Sequence, residues 1–488
     1  MAEQLICNQQ VVGSTPITSS SKHALACLFL LKTKTPFLER TEGVLKKIRI
    51  SVVGSLFLGY ALIILLGSAL LSLPFASATG TAHAYVDCLF TSTSATCVTG
   101  LVPFDTGLGW SLFGEIVILI LIQLGGLGFM TVVTLFYLMF GKRVGLHDQN
   151  ILMQAQGNFS VGGIVPLIRR ISIATFATEG VGTLILFLRF RHQFGAKGLY
   201  YALFTSVSAF CNAGFDVFGT GSLTAFRSDA TVLLTVSLLI VVGGVGFVVL
   251  SDLFNHRCRL GRCYLHTKVV LLANAILVLG GAFLYFLLEF TDVGVKGHFS
   301  DLPLGEKLVN ALFLSVSPRT AGFNAVDLAE VSGTGQFLTV LLMFLGGNPC
   351  STAGGIKVTT AIVVLANLSA AARASKEVRI FNKSVPDSVV RQASAILLSY
   401  LLLTVGAVLV IGIFEPAGLN EILFEVVSAI ATVGLTLGLT PSLSVVSKLV
   451  LIFLMYVGRL GAFSLFELFG RQRKKEYLSR QKGQILVG

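Results

Sequence analysis

The chain has 488 residues, of which 54% are hydrophobic and only 12% are charged, and its mean hydropathy is +0.84. This composition excludes a soluble fold, because apolar runs of about 20 residues, enough to span a bilayer as helix, recur along most of the sequence. The net charge of +12 is therefore attributed to cytosolic loops of a membrane protein, and no nucleic-acid partner is predicted.

The two ends of the chain are predicted to be cytosolic. Residues 1–48 form an extension rich in Ser, Thr and Lys, and residues 467–488 form a basic tail. The apolar run from Ala24 to Leu31 lacks a small-residue cleavage site, so no signal peptide is predicted. Of the 36 Lys and Arg residues, 26 lie in the ends and in the loops between units, which also places both termini in the cytosol.

Between these ends, one pattern occurs four times in chain order. It consists of a long apolar span, a short segment, a polar run that ends in glycine, and a second apolar span. Such self-similarity indicates a repeated structural unit. We predict an all-α membrane protein with four membrane-pore-membrane repeats around a pseudo-fourfold pore. The predicted repeats are residues 49–145, 160–262, 264–375, which has a broken second helix, and 388–466.

The short segments are predicted to enter the membrane and return, because about 10 to 14 residues are too few to cross it as helix. Each is followed by a polar run, the first being Ser-Ala-Thr-Cys-Val-Thr-Gly-Leu at residues 94–101. The glycines that end the four runs are separated by 114, 108 and 112 residues. Non-helical backbone inside the membrane needs protein or water to satisfy its polar groups. A pore shared by the four runs would supply both.

The polar runs have the chemistry of a cation filter. A dehydrated cation needs oxygen dipoles in place of its water shell, and small residues with glycine allow successive backbone carbonyls to point inward. We therefore predict K⁺ binding at four triplets, with no organic cofactor. The candidate filter residues are Val98, Thr99, Gly100, Asn212, Ala213, Gly214, Thr320, Ala321, Gly322, Thr432, Val433 and Gly434.

A second fourfold motif lies in the second spans. Its copies start at Gly125, Gly243, Gly346 and Gly458, and close helix packing is the favoured interpretation over a dinucleotide fingerprint. The third copy carries proline and extra glycines, which should interrupt the helix. It is predicted to be an intramembrane gate, with a passive kink as the alternative. The candidate gate residues are Gly346, Gly347, Asn348, Pro349, Cys350, Ser351, Thr352, Ala353, Gly354, Gly355, Lys357 and Arg459.

Arg459 and Lys357 are the two basic residues predicted to lie inside spans. A charge at membrane depth costs at least about 2.5 to 3.5 kcal/mol and by default indicates function. Arg459 is predicted to be a positive barrier in the ion path, with snorkelling to the interface as the alternative. Lys357 is retained as a gate-region candidate.

Residues 50–466 resemble the Trk/Ktr/HKT superfamily of potassium and sodium translocating subunits. The resemblance is carried by the run at 94–101, by Asn-Ala-Gly-Phe, Arg-Thr-Ala-Gly-Phe and Ala-Thr-Val-Gly-Leu in the later runs, and by Ser-Thr-Ala-Gly-Gly-Ile-Lys at 351–357. It implies potassium uptake across the plasma (inner) membrane through one four-repeat pore. In this superfamily serine at the first filter glycine goes with sodium, and glycine at all four goes with potassium. The resemblance also implies a homodimer in membrane lipid, bound to a cytosolic ring of nucleotide-binding regulatory subunits.

A coupled symporter and an enzyme are the two alternative functions for this chain. A coupled symporter, K⁺/H⁺ or Na⁺-linked, would need an acidic group at mid-membrane, and the candidates Glu115, Glu179, Asp252 and Glu289 are interpreted as span ends or packing positions. An enzyme is not predicted, because the seven His are scattered. The eight cysteines show no zinc-like pairing and are predicted to be free thiols, although Cys258 and Cys263 share a short basic loop.

Overall fold

The computed structural model describes residues 52–128, 164–219, 221–291, 299, 302–375 and 377–461. The predictions for residues 1–48 and 467–488 lie outside these residues. Within the described part, the regular secondary structure consists of helices and one two-stranded antiparallel sheet, joined by loops. Four of the described helices are long and apolar enough to cross a membrane, and one bent pair adds a fifth span if it is counted as one.

The elements are numbered in chain order. The helices are α1 (Val52–Leu71), α2 (Tyr85–Cys97), α3 (Thr106–Gly109), α4 (Leu112–Leu127), α5 (Ile164–Phe194), α6 (Lys197–Cys211), α7 (Ala230–Val245), α8 (Phe247–Asn255), α9 (Leu265–Glu289), α10 (Leu304–Val316), α11 (Gly333–Phe344), α12 (Val358–Ala372), α13 (Asp387–Phe414), α14 (Leu419–Ala431) and α15 (Val445–Leu460). The strands β1 (Arg379–Ile380) and β2 (Lys383–Ser384) pair between α12 and α13.

The long helices α1, α5, α9 and α13 each pack against the short helix that follows in sequence. Their outward faces carry exposed leucines such as Leu62, Leu184 and Leu402. Apolar side chains on the outside of a long apolar helix are typical of lipid contact. The chain is therefore a multi-pass membrane protein, and its short helices lie inward of the long ones.

Local capping explains where four of the helices begin. A serine or aspartate precedes each of α4, α7, α11 and α15, and its side chain accepts a hydrogen bond from a backbone amide of the first turn. Such N-caps satisfy donors that have no partner within the helix. The capping residues are Ser111, Asp229, Ser332 and Ser444.

Glycines with positive φ end three of these helices earlier than the hydropathy predicts. The apolar runs predict spans to about residue 140, 253 and 466, but α4, α7 and α15 end before Gly128, Gly246 and Gly461. Their ψ angles of 132°, 134° and 123° carry the chain out of the helix in a conformation that glycine adopts without steric cost. At Gly246 the chain bends by 90° into α8, so the segment predicted as one helix over about residues 229–253 consists of two helices.

Helix packing brings the two ends of the chain's helical part together. α4 packs against α6, α7 against α10, and α11 against α14, so each contact leads one step further along the sequence. α15 then packs against α2, and the Lys448 ammonium on α15 lies 2.7 Å from the Asp87 carboxylate on α2. In these contacts α4, α7 and α11 each pack against the next short helix in sequence, and α15 closes the cycle on the first short helix, α2.

Candidate functional site

Three of the short helices end in the same backbone conformation. The residue after α2, α6 and α14 is left-handed, with φ of 58° at Val98, 60° at Asn212 and 52° at Thr432. α10 differs, because it ends at Val316 in a right-handed cap and the positive φ comes later, 80° at Thr320. The polar runs therefore leave their helices as sharp turns, and the third turn is built differently.

A serine in each of these runs fixes the turn. Ser94 and Ser428 accept hydrogen bonds from the amides of Gly100 and Gly434 at 3.0 and 3.1 Å. The Ser208 hydroxyl instead donates to the Phe215 carbonyl at 2.7 Å. Ser317 makes the equivalent bond to Phe323 in the third run. Outside a helix, the backbone amides and carbonyls of the runs have no regular backbone partners. The serine hydroxyls form hydrogen bonds with these groups instead.

The four run-ending glycines lie side by side, although more than a hundred residues separate each from the next. All have positive φ, between 70° and 98°. A side-chain carbon at any of them would lie closer than 3.0 Å to a carbonyl oxygen of the next run, and the fourth closes on the first. The pairs are Gly100 with Ala213, Gly214 with Ala321, Gly322 with Val433, and Gly434 with Thr99. We call this arrangement the glycine ring.

The twelve predicted filter residues are all buried, and the glycine ring brings the four triplets together. Only glycine fits at the four ring positions, because both the φ angle and the approach of a neighbouring carbonyl exclude a side chain. The ring consequently places backbone carbonyl groups of all four runs next to one another.

Glycines near the C-terminal ends of α4, α7 and α15 pack closely against the last turns of α2, α6 and α14. A side-chain carbon on Gly125, Gly243 or Gly458 would collide with the carbonyl oxygen of Thr96, Phe210 or Ile430, respectively. Each of these carbonyls belongs to the residue four positions before a ring glycine. Close helix packing of this kind is what small residues permit in membranes.

Residues 345–357, which we call the glycine loop, separate α11 from α12 and are not helical. Asn348 donates to the Gly244 carbonyl through its amide at 3.2 Å and its side chain at 2.9 Å. Thr352 donates through its hydroxyl to the Phe210 carbonyl at 3.2 Å. The loop is therefore anchored to the end of α7 and to the last turn of α6, just below the second run.

Two cations hold the glycine loop. Lys357 donates to the carbonyls of Ala353 and Gly354 at 2.7 and 3.3 Å. Both partners lie in the glycine loop, so these bonds stabilise the loop internally. Arg459 donates to the Thr352 carbonyl and, across the site, to two carbonyls at the C-terminal end of α4. These two are Gly125 and Gly126. The guanidinium thus bridges the loop to α4, where the partial negative charge of a helix end favours a cation.

From its sequence position, Arg319 in the third run is predicted to lie in an outward segment. It is only 7% exposed, and its guanidinium donates to the side-chain oxygen of Asn274 on α9. This buried pair could not be predicted from sequence, because Asn274 lies 45 residues earlier in an apolar helix. Arg319 and Asn274 therefore tie the third run to its long helix.

The acidic side chains inside the protein are hydrogen-bonded to neighbouring elements. Glu115 accepts from Tyr200 at 2.7 Å, Glu179 accepts from Gln123 at 3.1 Å, and Glu289 accepts from the Ser332 amide at 3.2 Å. These bonds agree with their interpretation as packing positions. Glu425, which the sequence did not single out, is fully buried and bonded to Thr440.

Comparison with known proteins defines the family. Residues 47–476 match the family TrkH, described as cation transport protein. The chain belongs to the TrkH family. The resemblance to Trk and Ktr transporters drawn from the sequence is confirmed, and this TrkH-family chain is a transporter subunit and not an enzyme.

Curated relatives cover nearly the whole TrkH-family chain. It is 38% identical to the potassium/sodium uptake protein NtpJ of Enterococcus hirae over 88% of its own length and 95% of that protein. It is 36% identical to the Ktr system potassium uptake protein B of Bacillus subtilis over 92% and 99%. The crystal structure of the potassium transporter TrkH of Vibrio parahaemolyticus matches 84% of each chain with a TM-score of 0.66 at 19% identity, which shows the same fold.

Proposed function

We propose that this chain takes up K⁺ through a selectivity filter made by the glycine ring and the carbonyls of the four triplets. The closure of the ring, in which each glycine meets a carbonyl of the next run, carries this proposal. It supports four membrane-pore-membrane repeats around a pseudo-fourfold pore. The relatives are a potassium uptake protein and a potassium/sodium uptake protein, which supports K⁺ as the ion.

The proposed filter works by replacing water. A K⁺ ion entering the ring exchanges its hydration shell for carbonyl oxygens that the turns already hold in place. The C-terminal ends of α2, α6 and α14 lead directly into the runs, and their partial negative charge favours a cation there. Glycine at all four ring positions is the pattern that the superfamily resemblance associates with potassium.

The proposed gate is the glycine loop with Arg459. The loop is anchored below the second run, and Arg459 joins it to the end of α4 on the other side. In this arrangement the guanidinium places a positive charge on the ion path and holds the loop across it. Opening requires the loop and Arg459 to move apart.

For its assembly, we propose a homodimer in the plasma (inner) membrane, with both termini in the cytosol. A cytosolic ring of nucleotide-binding subunits is the proposed regulatory partner, and the Ktr system protein is by its printed name one component of a system. The basic loop between α8 and α9, with Arg257, Arg259 and Arg262 exposed, is a suitable surface for it.

Ion flux into proteoliposomes tests the proposed function, with K⁺, Na⁺ and a pH gradient varied separately. We expect K⁺ influx down its own gradient without any requirement for Na⁺ or protons. Influx that stops when the Na⁺ or proton gradient is removed would overturn the channel-like filter in favour of a symporter. The hydrogen bonds that occupy Glu115, Glu179 and Glu289 argue against that alternative.

Asp216 makes the proposed uptake sensitive to external pH. It lies two residues after Gly214, in the loop between α6 and α7 and outside the spanning helices. Desolvation and the nearby Asp105 carboxylate raise the pKa of Asp216 to about 7. The side chain is neutral below this pKa and negative above it. Because a negative charge near the filter attracts K⁺, we expect uptake to rise about two- to threefold as external pH increases through that pKa.

Two variants identify the titrating group. Asp216→Asn should abolish the pH dependence, and Asp105→Asn should move its midpoint to lower pH because the repelling charge is gone. Uptake is measured in proteoliposomes while only the external buffer is changed. A wild-type pH profile in Asp216→Asn would contradict the assignment.

A further inference from the structure

Three metal-binding side chains meet where α8 joins α9. Asp252 lies near the end of α8, His256 follows the helix, and Cys263 lies just before α9. One ligand atom from each lies within 4.8 Å of the other two. The sequence predicts Cys263 only as a free thiol, because the eight cysteines show no zinc-like pairing.

The backbone of the connecting loop is folded so that Cys263 returns to α8. Arg257 and Cys258 have φ of 49° and 59°, a left-handed pair that turns the chain sharply. The Cys258 amide donates to the Leu253 carbonyl at 2.8 Å, which fastens the turn to the helix. Two successive non-glycine residues in this region cost about 1–2 kcal/mol each, so the turn persists only because its surroundings hold it.

The Asp252 carboxylate is held with one oxygen turned toward the other two ligands. Its Oδ2 accepts from the Thr267 hydroxyl at 2.5 Å and from the Tyr264 amide at 3.0 Å. Its Oδ1 is buried and lies 2.8 Å from the Nδ1 of His256, a nitrogen that also lies 3.1 Å from the Asp252 carbonyl oxygen. The residue is only 4% exposed. A cation bound between this oxygen and the imidazole nitrogen would take the place of that contact and offset the cost of burying the carboxylate.

We propose that Asp252, His256 and Cys263 form a binding site for a soft divalent cation of the Zn²⁺ class. A thiolate, an imidazole nitrogen and a carboxylate oxygen are the ligand types of zinc sites, whereas Mg²⁺ and Ca²⁺ take oxygen ligands. A water molecule would complete the fourth position. The carboxylate and the thiolate together balance the two charges of the ion.

The proposed ion joins α8 to α9 across the loop at residues 256–264. Asp252 belongs to α8 and Cys263 adjoins α9, so a shared metal fixes the end of α8 against α9. At its other end α8 begins with Phe247, whose amide donates to the Cys350 carbonyl of the glycine loop at 2.8 Å. The metal therefore positions the helix that supports this side of the loop.

The binding test uses the full-length protein in detergent, stripped of metal with a chelator and titrated with Co²⁺. We expect one Co²⁺ per chain, a thiolate-to-cobalt charge-transfer band, and loss of that band on addition of Zn²⁺. Cys263→Ser should abolish the band. His256→Gln should weaken Co²⁺ binding at least about tenfold, and its partly exposed side chain makes this variant compatible with folding.

Cys88→Ser is the matched control, because it removes another buried thiol far from the loop, in α2. It should retain both the stoichiometry and the charge-transfer band, and size-exclusion profiles confirm that each variant is folded. The proposal is overturned if wild-type protein gives no charge-transfer band. It is equally overturned if the band survives in Cys263→Ser or disappears in Cys88→Ser. Since binding is read without ion flux, the result is independent of the proposed transport function.

Discussion

We expect Gly434→Ala to abolish K⁺ uptake, and Gly438→Ala to leave uptake close to the wild-type rate. The two glycines are four residues apart and have nearly the same φ angle, 94° at Gly434 and 93° at Gly438. They differ in their surroundings. A side-chain carbon at Gly434 would lie closer than 3.0 Å to the Thr99 carbonyl oxygen, whereas one at Gly438 would meet nothing within 4 Å.

The pair separates backbone strain from the effect on the filter. Alanine at either position costs about 1–2 kcal/mol for its left-handed conformation. Only Gly434→Ala must also displace a carbonyl of the proposed filter, because Thr99 and Gly434 are held by buried turns on either side. A barrier raised by about 3 kcal/mol would slow conduction roughly a hundredfold.

Uptake of K⁺ into proteoliposomes measures the effect, with thermal unfolding of both variants recorded in parallel. Similar unfolding temperatures with loss of flux only in Gly434→Ala would support the ring as the filter. Equal loss of flux in both variants would mean that strain, and not the carbonyl, is responsible. Wild-type flux in Gly434→Ala would contradict the filter assignment outright.

The helices of this chain follow largely from local sequence. Hydropathy places the long helices within a few residues, as at Asp387–Phe414, and the short apolar segments predict helices such as Leu419–Ala431. Both depend on runs of apolar side chains and on helix stops within the same few turns. The polar runs were also recognisable, because their serines and glycines recur at similar spacing.

Contacts between residues far apart in sequence could not be predicted from the sequence. The approach of Gly434 to Thr99 joins the last run to the first, and it exists only once all four runs have closed. The partners of Arg459 lie on α4 and in the glycine loop, more than a hundred residues earlier. Asp252 and Cys263 come together because of a left-handed turn at Arg257, a residue type with no preference for it.

Arg459→Gln is expected to raise resting K⁺ flux about tenfold or more. In the structure the guanidinium donates to Thr352 in the glycine loop and to Gly125 on α4, so it holds the loop in place. A hydrogen bond from a charged donor contributes about 1.5 kcal/mol or more. Its loss from the closed state alone would shift the balance between closed and open loops by about a factor of ten.

Arg459→Lys distinguishes the charge from the bridge. Lysine keeps the positive barrier, but its compact ammonium lacks the planar fork that reaches Thr352 and Gly125 at once. Because one of the two contributions survives, we expect this variant to leak more than wild type and less than Arg459→Gln. Flux equal to wild type would show that charge alone closes the path, and flux equal to Arg459→Gln would show that the bridge alone does.

Arg379→Gln is the control for removing a positive charge, because Arg379 lies exposed on β1 and forms an ion pair with Glu377. Its flux should equal that of wild type at every K⁺ concentration. If Arg459→Gln instead lost flux while its size-exclusion profile and unfolding temperature stayed normal, the arginine would be needed to build the open pathway. The three buried carbonyls would then require a cation in the conducting state as well, and the gate would have to be sought in the glycine loop alone.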